Sequence, residues 1–213
     1  MHWKRGLEFK MDFWNSQLTE KSWEVLQDLK KKYNFILIGG WAIYLWTKQQ
    51  KSKDIDIVVS ISELQKLKQE NLSKNDNLRK YEIKRDEIDV DIYISHFSRL
   101  IIPPEHIKNY VSKIEGFSVI SKEALLVLKQ GAEVERRNSL KGEKDKLDII
   151  SLLFFSDINF NVYKSILKKY SLEHFIDYLT SILKTFKDYG LLNLTSKEFK
   201  TTKENILKNL KKL

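Results

Sequence analysis

Residues 34–40, NFILIGG, set the narrowest limit on what this chain can fold into. A short apolar run halted by two glycines has the length and composition of a buried strand. The apolar WAIYLWTK that follows reads as one or two turns of helix. Gly39 and Gly40 therefore close a strand and open a helix. Glycine lets backbone approach a ligand without a Cβ, and a helix start offers unpaired N–H groups to phosphate oxygens. A plain strand-to-helix turn would carry the same pair, so its meaning depends on what surrounds it.

Around this turn the chain reads as an α+β head followed by a helical region. Residues 19–32 place Trp23, Leu26 and Leu29 at helical spacing, with acids early and lysines late, as a helix macrodipole favours. DIDIVVS, from Asp54, alternates acid with apolar residues and is predicted as a strand. A helix is expected over residues 62–69 and a turn at KNDN, residues 74–77. YEIKRDE and IDVDIYIS are expected to form antiparallel neighbours across a tight connection. Pro103 and Pro104 mark a break, and GFSVIS a last strand. From Ser121 the pattern turns helical through SKEALLVLKQGAEVERRN, EKDKLDIISLLFF and three basic segments. The expected boundaries are 1–120 for a small mixed sheet with helices and 121–213 for the helical region.

Carboxylates sit where metal chemistry would want them. Asp54 and Asp56 are two apart in a strand, so both project from one face. Paired carboxylates repel unless a cation lies between them, and Mg²⁺ commonly takes one or two carboxylates plus substrate phosphates. In IDVDIYI, Asp89, Asp91 and Tyr93 share one face, while Ile88, Val90, Ile92 and Ile94 share the other. A third acid on a neighbouring strand suits two-metal phosphoryl chemistry, in which carboxylates bridge ions roughly 3.5–4 Å apart. Asp91, deeper in the apolar strand, is the choice over Asp89. Each acid taken alone could be a surface charge.

Composition excludes several alternatives. The 213 residues contain no cysteine, so disulfides, thiolate catalysis and cysteine-held zinc or iron–sulfur centres are out. No stretch approaches the roughly 18 uncharged apolar residues of a membrane span. The opening MHWKRGLEFKMDFW has neither a continuous apolar core nor a small-residue cleavage site, and is not expected to be a signal peptide. A cytoplasmic protein is expected by elimination. The net charge of +9 is uneven: residues 121–213 hold 18 Lys/Arg against 12 Asp/Glu, a balance of +6. Such an excess favours polyanionic partners, although a lysine-rich solvated surface would look the same.

Together these pieces resemble the nucleotidyltransferase superfamily that includes polymerase beta, CCA-adding enzymes and antibiotic nucleotidyltransferases. Its pattern is an apolar residue, Gly, Gly or Ser, a spacer, then Asp-apolar-Asp-apolar. Here Ile38-Gly39-Gly40 is followed by thirteen residues, 41–53, and then Asp54-Ile55-Asp56-Ile57. A separate strand supplies the further Asp. The resemblance covers roughly residues 35–95 and implies a nucleotidyltransferase-like α+β fold. It also implies Mg²⁺ or Mn²⁺ held by Asp54, Asp56 and Asp91, with a nucleoside triphosphate as substrate.

The helical region is similar to AbiEii-type toxins of toxin–antitoxin and phage-defence pairs. These carry a Lys-x-x-Ala-x-x-x-Arg helix and then Asp-x-x-Asp; the counterparts here run from Lys129 through Ala132 to Arg136, and then Asp145 and Asp148. Lys129 and Arg136 are seven apart and share a helical face. By this resemblance Lys129 holds the triphosphate and Asp145 completes the acidic site, while Gly39, Gly40, Ser52 and Lys53 bind nucleotide. One departure is Gln50-Lys51-Ser52-Lys53, where those toxins place an arginine before the Thr/Ser. Lysine replaces the charge but not the guanidinium fork, so nucleotide affinity or choice is expected to differ.

Four histidines, at 2, 96, 106 and 174, are scattered without a His-x-x-x-His pair, and a zinc site is not expected. All five tryptophans lie within the first 46 residues, where packing is favoured over base stacking. The leading expectation is NMP transfer from an NTP to a hydroxyl, on RNA if the toxin resemblance holds, with a cognate antitoxin as a further partner and no membrane. The alternatives are a small-molecule, antibiotic-type nucleotidyltransferase and a catalytically silent nucleotide- or RNA-binding module.

Overall fold

The computed structural model describes residues 16–213, which places His2, Trp3, Trp14 and the opening segment outside the described residues. The chain divides into two compact units, residues 1–120 and 121–213. The fold class is α+β: a mixed seven-stranded sheet with helices, and then helices alone.

In the first unit, helix α1 (Ser16–Lys32) precedes β1 (Ile36–Ile38), α2 (Gly39–Thr47) and β2 (Ile55–Val58). Helix α3 (Ile61–Leu67) then leads to β3 (Ser73–Asn75), β4 (Lys80–Arg85) and β5 (Ile88–Tyr93). The short α4 (Pro104–Ile107) carries Pro104 in its first turn, where the missing N–H costs nothing, and precedes β6 (Val111–Ile114) and β7 (Phe117–Ile120). The strand order is β3-β4-β5-β2-β1-β7-β6. Strand β2 is antiparallel to β1 and parallel to β5, and β4 is antiparallel to β5.

Alternation along the strands sorts the sheet into two faces. Leu37, Ile55, Ile57, Ile83, Ile88, Val90, Ile92, Phe117 and Val119 are buried on one of them. Against that face lies α1: the Trp23 ring packs tilted on Phe117 with centroids 5.7 Å apart, Leu26 and Leu29 are fully buried, and Asp28 pairs with Arg85 at 2.5 Å. Trp41 of α2 is also fully buried, and its indole N–H donates to Ser22 at 2.8 Å. Trp46 donates to the Ile120 carbonyl at 2.9 Å. The tryptophans of the described residues thus tie helices to each other and to the sheet.

Two elements depart from the sequence reading. KNDN does not form a turn throughout: Lys74 and Asn75 belong to β3, paired with Tyr81 and Lys80, and the turn occupies residues 76–79. This edge strand is polar on both faces, so no apolar alternation announces it. Strand β6 also escaped notice. It is held to β7 by a two-residue turn, Glu115-Gly116, with both φ angles positive, the hairpin geometry that suits strand twist.

The second unit begins with α5 (Lys122–Arg136) and α6 (Leu140–Phe155), capped by Ser121 and Ser139. Helices α7 (Phe160–Lys169), α8 (Phe175–Thr185) and α9 (Ser196–Leu210) follow, the last opened by a capping box of Thr195 and Glu198. Gln130, fully buried, accepts from the Tyr163 hydroxyl at 2.6 Å and donates to the Phe175 carbonyl at 3.0 Å. Among the described residues no helix is long and apolar enough to cross a membrane.

Candidate functional site

The turn at Gly39 and the Asp56 carboxylate are built around each other. Gly39 has φ +66°, in the left-handed region, and a Cβ placed there would fall 2.0 Å from Asp56 Oδ2. The carboxylate fills the volume that the missing side chain leaves. Register puts it there, because Ile38, the last residue of β1, faces Asp56 across the antiparallel pair. Helix α2 starts at this point with no side chain capping its N-terminus. An uncapped nine-residue helix therefore begins beside a carboxylate, a combination that suits an anion bridged by a cation.

The same row continues across the sheet. Asp56 registers with Asp91 on the parallel β5, and Asp91 with Glu82 on β4. Laterally registered residues point to one face, so the three carboxylates form a line on the polar side of the sheet. Tyr93 donates to Asp56 Oδ1 at 3.4 Å. Asp54 lies one residue ahead of β2, half-buried; Ser52 is buried and Lys53 exposed. Asp89, paired loosely with Lys84 at 4.0 Å, is 54% exposed, whereas the Asp91 side chain is 18% exposed. Asp91, not Asp89, is the acid beside Asp56. His96 sits exposed in the turn beyond β5.

Electrostatics follow from this line. Burial, and then the Asp56 carboxylate, push the Asp91 carboxyl from an ordinary 3.8 up to about 6. Lys80 opposes them, with its ammonium 2.6 Å from Asp91 Oδ2 and 3.0 Å from Glu82 Oε1. Burial works against the charge on Lys80, yet Asp91 and Glu82 hold it above the usual lysine range. Burial acts on both partners, and Asp91 also feels the Asp56 carboxylate. Lys80 and Glu82 were not singled out from sequence; the only signal was their alternation with Tyr81 and Ile83, and the register that matters is invisible locally. Among the described residues no three His, Asp or Glu side chains stand gathered as a metal cage. The donors that are present, carboxylate oxygens with an excess of negative charge, fit a hard ion that brings phosphate oxygens as its remaining ligands.

In the second unit the Lys-x-x-Ala-x-x-x-Arg and Asp-x-x-Asp elements meet each other. Lys129, 8% exposed, contacts Asp145 Oδ1 at 3.1 Å and Asp148 Oδ2 at 2.6 Å. Arg136 reaches both Asp145 oxygens, at 2.6 and 3.0 Å. The seven-residue spacing on α5 and the three-residue spacing on α6 turn these charges toward one another. Burial raises the Asp145 pKa, but Lys129 and Arg136 outweigh it and hold the carboxyl below its ordinary range. Glu133, one turn from Lys129, is fully buried with neither carboxylate oxygen hydrogen-bonded. Arg137 at 3.5 Å and Lys146 at 3.9 Å approach it, and burial pushes its pKa up.

No protein-family model matches this chain, and no curated protein matches it in sequence. Solved structures do resemble it. A "putative nucleotidyltransferase" from H. pylori aligns with 18% identity and a TM-score of 0.48, covering 91% of this chain and 95% of its own. JHP933 from Helicobacter pylori aligns with 18% identity and a TM-score of 0.47, covering 93% and 95%. An antigenic nucleotidyltransferase-like protein from Paracoccidioides brasiliensis aligns with 20% identity and a TM-score of 0.41, covering 84% and 98%.

Three outcomes are expected from this geometry. Gly39→Ala forces a side chain into the Asp56 carboxylate at a strained φ, which alone costs roughly 1–3 kcal/mol. Urea unfolding should show at least that loss, whereas Gly190→Ala, with open space around it, should change little. A Gly39→Ala protein as stable as wild type would mean that Asp56 is free to move away.

The second outcome concerns pH. Asp91 has a folded pKa raised above its unfolded value, so it binds a proton more tightly in the folded state. Its stabilising contribution is full below about pH 4 and lost as pH rises through about 6. In chelator, wild type should therefore lose stability relative to Asp91→Asn across that window. Parallel stability profiles for the two proteins would contradict the shift.

The third concerns Lys129, whose removal strands Asp148 and weakens the hold on Asp145. Breaking a buried pair this way costs about 3–5 kcal/mol. Lys129→Met should unfold at correspondingly lower urea and Lys122→Met should not. Similar midpoints for both would show that the Lys129 pairs contribute nothing to folding.

Proposed function

We propose that this chain is a metal-dependent nucleotidyltransferase, moving an NMP group from a nucleoside triphosphate to a hydroxyl acceptor, with RNA the favoured acceptor. The observation that carries this reading is the placement of Asp56, seated against the Gly39 turn and in register with Asp91 on the neighbouring parallel strand. Folding alone does not call for this line of like charges beside an uncapped helix start. A triphosphate and a hard cation do.

In this reading Asp54, Asp56 and Asp91 hold Mg²⁺ or Mn²⁺, which when bound draws charge from the phosphate oxygens and makes the acceptor hydroxyl more acidic. The free N–H groups of α2, beginning at Gly39 and Gly40, bind phosphate oxygens. Asp91 is the base that takes the proton from the hydroxyl. The hydroxyl oxygen bonds to the α-phosphorus, the bond from that phosphorus to the bridging oxygen breaks, and pyrophosphate leaves with the bond's electrons. Lys53 is exposed just ahead of Asp54 and is free to meet the triphosphate tail. The +6 balance over residues 121–213 supports a polyanionic acceptor over a cationic antibiotic, which would seek the aspartates. A protein antitoxin is the partner that the toxin resemblance adds.

The test is label transfer with Mg²⁺, each labelled triphosphate in turn, and either total small RNA or a panel of hydroxylated antibiotics. Label is expected in RNA, lost with Asp54→Asn or Asp56→Asn, and declining with salt by about 0.7 log units per log unit of salt for each phosphate contacted. Label on an antibiotic alone would move the acceptor to a small molecule. No label on either, from a folded protein that still binds nucleotide, would leave a silent binding module.

A further inference from the structure

Lys80 touches two carboxylates of unequal importance. Its ammonium, on a side chain 13% exposed, lies 2.6 Å from Asp91 Oδ2 and 3.0 Å from Glu82 Oε1. Asp91 stands in register with Asp56 at the centre of the carboxylate line, and Glu82 stands at its outer end, 34% exposed. Glu82 is itself held in place, because Asn75 Nδ2 of the edge strand donates to the same Oε1 at 3.1 Å. The ammonium therefore has a fixed second partner on its own strand. It can release Asp91 without being left buried and unpaired, the condition that makes breaking a buried ion pair so costly.

We propose that Lys80 is the resident cation of this carboxylate line, keeping a divalent ion off Asp91 until a triphosphate arrives and then withdrawing onto Glu82. This rests on the nucleotidyltransferase reading and adds an order of events to it. In the nucleotide-free protein an ammonium already neutralises one carboxylate beside Asp56, so a second cation entering there meets a like charge a few ångströms away. A triphosphate reverses that balance, since its own charge draws in the ion and leaves the ammonium with Glu82. Lys80 acts through Asp91 in this scheme and is a positioning residue. The arrangement explains why a half-exposed glutamate is anchored by an asparagine on a polar edge strand: it is the lysine's second seat.

The experiment is Mn²⁺ binding followed by the loss of the free-ion electron paramagnetic resonance signal, at fixed pH, with and without a triphosphate analogue carrying a non-cleavable α,β-methylene bridge. Lys80→Met should tighten Mn²⁺ binding to the nucleotide-free protein by about tenfold or more, the worth of one charge-assisted hydrogen bond. Glu82→Gln removes the second seat, leaves Lys80 committed to Asp91, and should weaken Mn²⁺ binding. With the analogue present, wild type and Lys80→Met should converge. Convergence of wild type and Lys80→Met once the analogue is bound is what a lysine acting only as a fixed nearby charge could not produce. If Lys80→Met and Glu82→Gln both match wild type while Asp56→Asn abolishes Mn²⁺ binding, the proposal for Lys80 is wrong and the metal site stands. If wild type with the analogue binds no Mn²⁺, or Asp56→Asn binds it equally well, the nucleotidyltransferase reading itself fails. Should Lys80→Met not fold, the Glu82→Gln result decides alone, an unchanged affinity overturning the proposal.

Discussion

The Asp56 carboxylate occupies the space where Gly39 has no side chain, and most of the first unit is arranged so that it can. The three-residue β1 ends at the position opposite Asp56, so the chain must reverse into α2 with a left-handed residue at that point. The N-cap residue of α2 is Ile38, which has no polar side-chain atom to cap with, so the first N–H groups have no side-chain partner there. Strand β5, parallel to β2, then repeats the acid one strand over. Helix behind, carboxylates in front and an apolar underside packed on α1 are consequences of one register. A slip of a single residue in β2 would turn Asp56 into the core.

Placing like charges side by side is destabilising unless something offsets it, and the two units solve this differently. On the sheet, Lys80 relieves the line at one end only, and Asp91 remains biased toward protonation by burial and by Asp56. In the second unit Asp145 and Asp148 are matched by Lys129 and Arg136, and Asp145 stays biased toward ionisation. The first arrangement is unfinished in a way a ligand could complete, whereas in the second each acid meets a cation of α5. The spacing Lys129–Arg136 and Asp145–Asp148 brings these four charges together.

The strands and helices legible in the sequence were those with an apolar period, which is why residues 34–40, the Asp54 strand, the Asp89–Tyr93 alternation and the long helices could be read directly. What escaped were features that local pattern does not encode. Strand β3 is short and polar, and β6 shows only weak alternation, so neither has a hydrophobic signature. Among the candidate site residues, Gly39, Asp56 and Asp91 could be proposed together because their spacing survives as a motif, and position along the apolar strand, not alternation, put Asp91 deeper than Asp89. Lys80 and Glu82 carry no motif. Their importance comes from the β4–β5 register, which pairs Glu82 with Asp91 through a turn at Asp86-Glu87 that the sequence marks only as charged.

Glu133 shows where the physics of the second unit remains under tension. Its carboxylate is fully buried with no hydrogen bond to either oxygen, and the flanking Arg137 and Lys146 stand at 3.5 and 3.9 Å, too far for Lys146 to bond it directly. Arg137 meanwhile lies 4.5 Å over the ring of Tyr178, whose hydroxyl is also buried without a hydrogen-bond partner. The guanidinium is thus shared between a carboxylate and an aromatic face and fully satisfies neither. Burial favours the neutral form of such a group, the direction in which Glu133 is pushed, while Arg137 and Lys146 oppose that push. The neighbouring Asp145 of α6 adds to that push, so its pairing with Lys129 and Arg136 also limits the uncompensated negative charge around Glu133. The clamp between α5 and α6 therefore pairs its own four charges and leaves a fifth, Glu133, with only the longer approaches of Arg137 and Lys146.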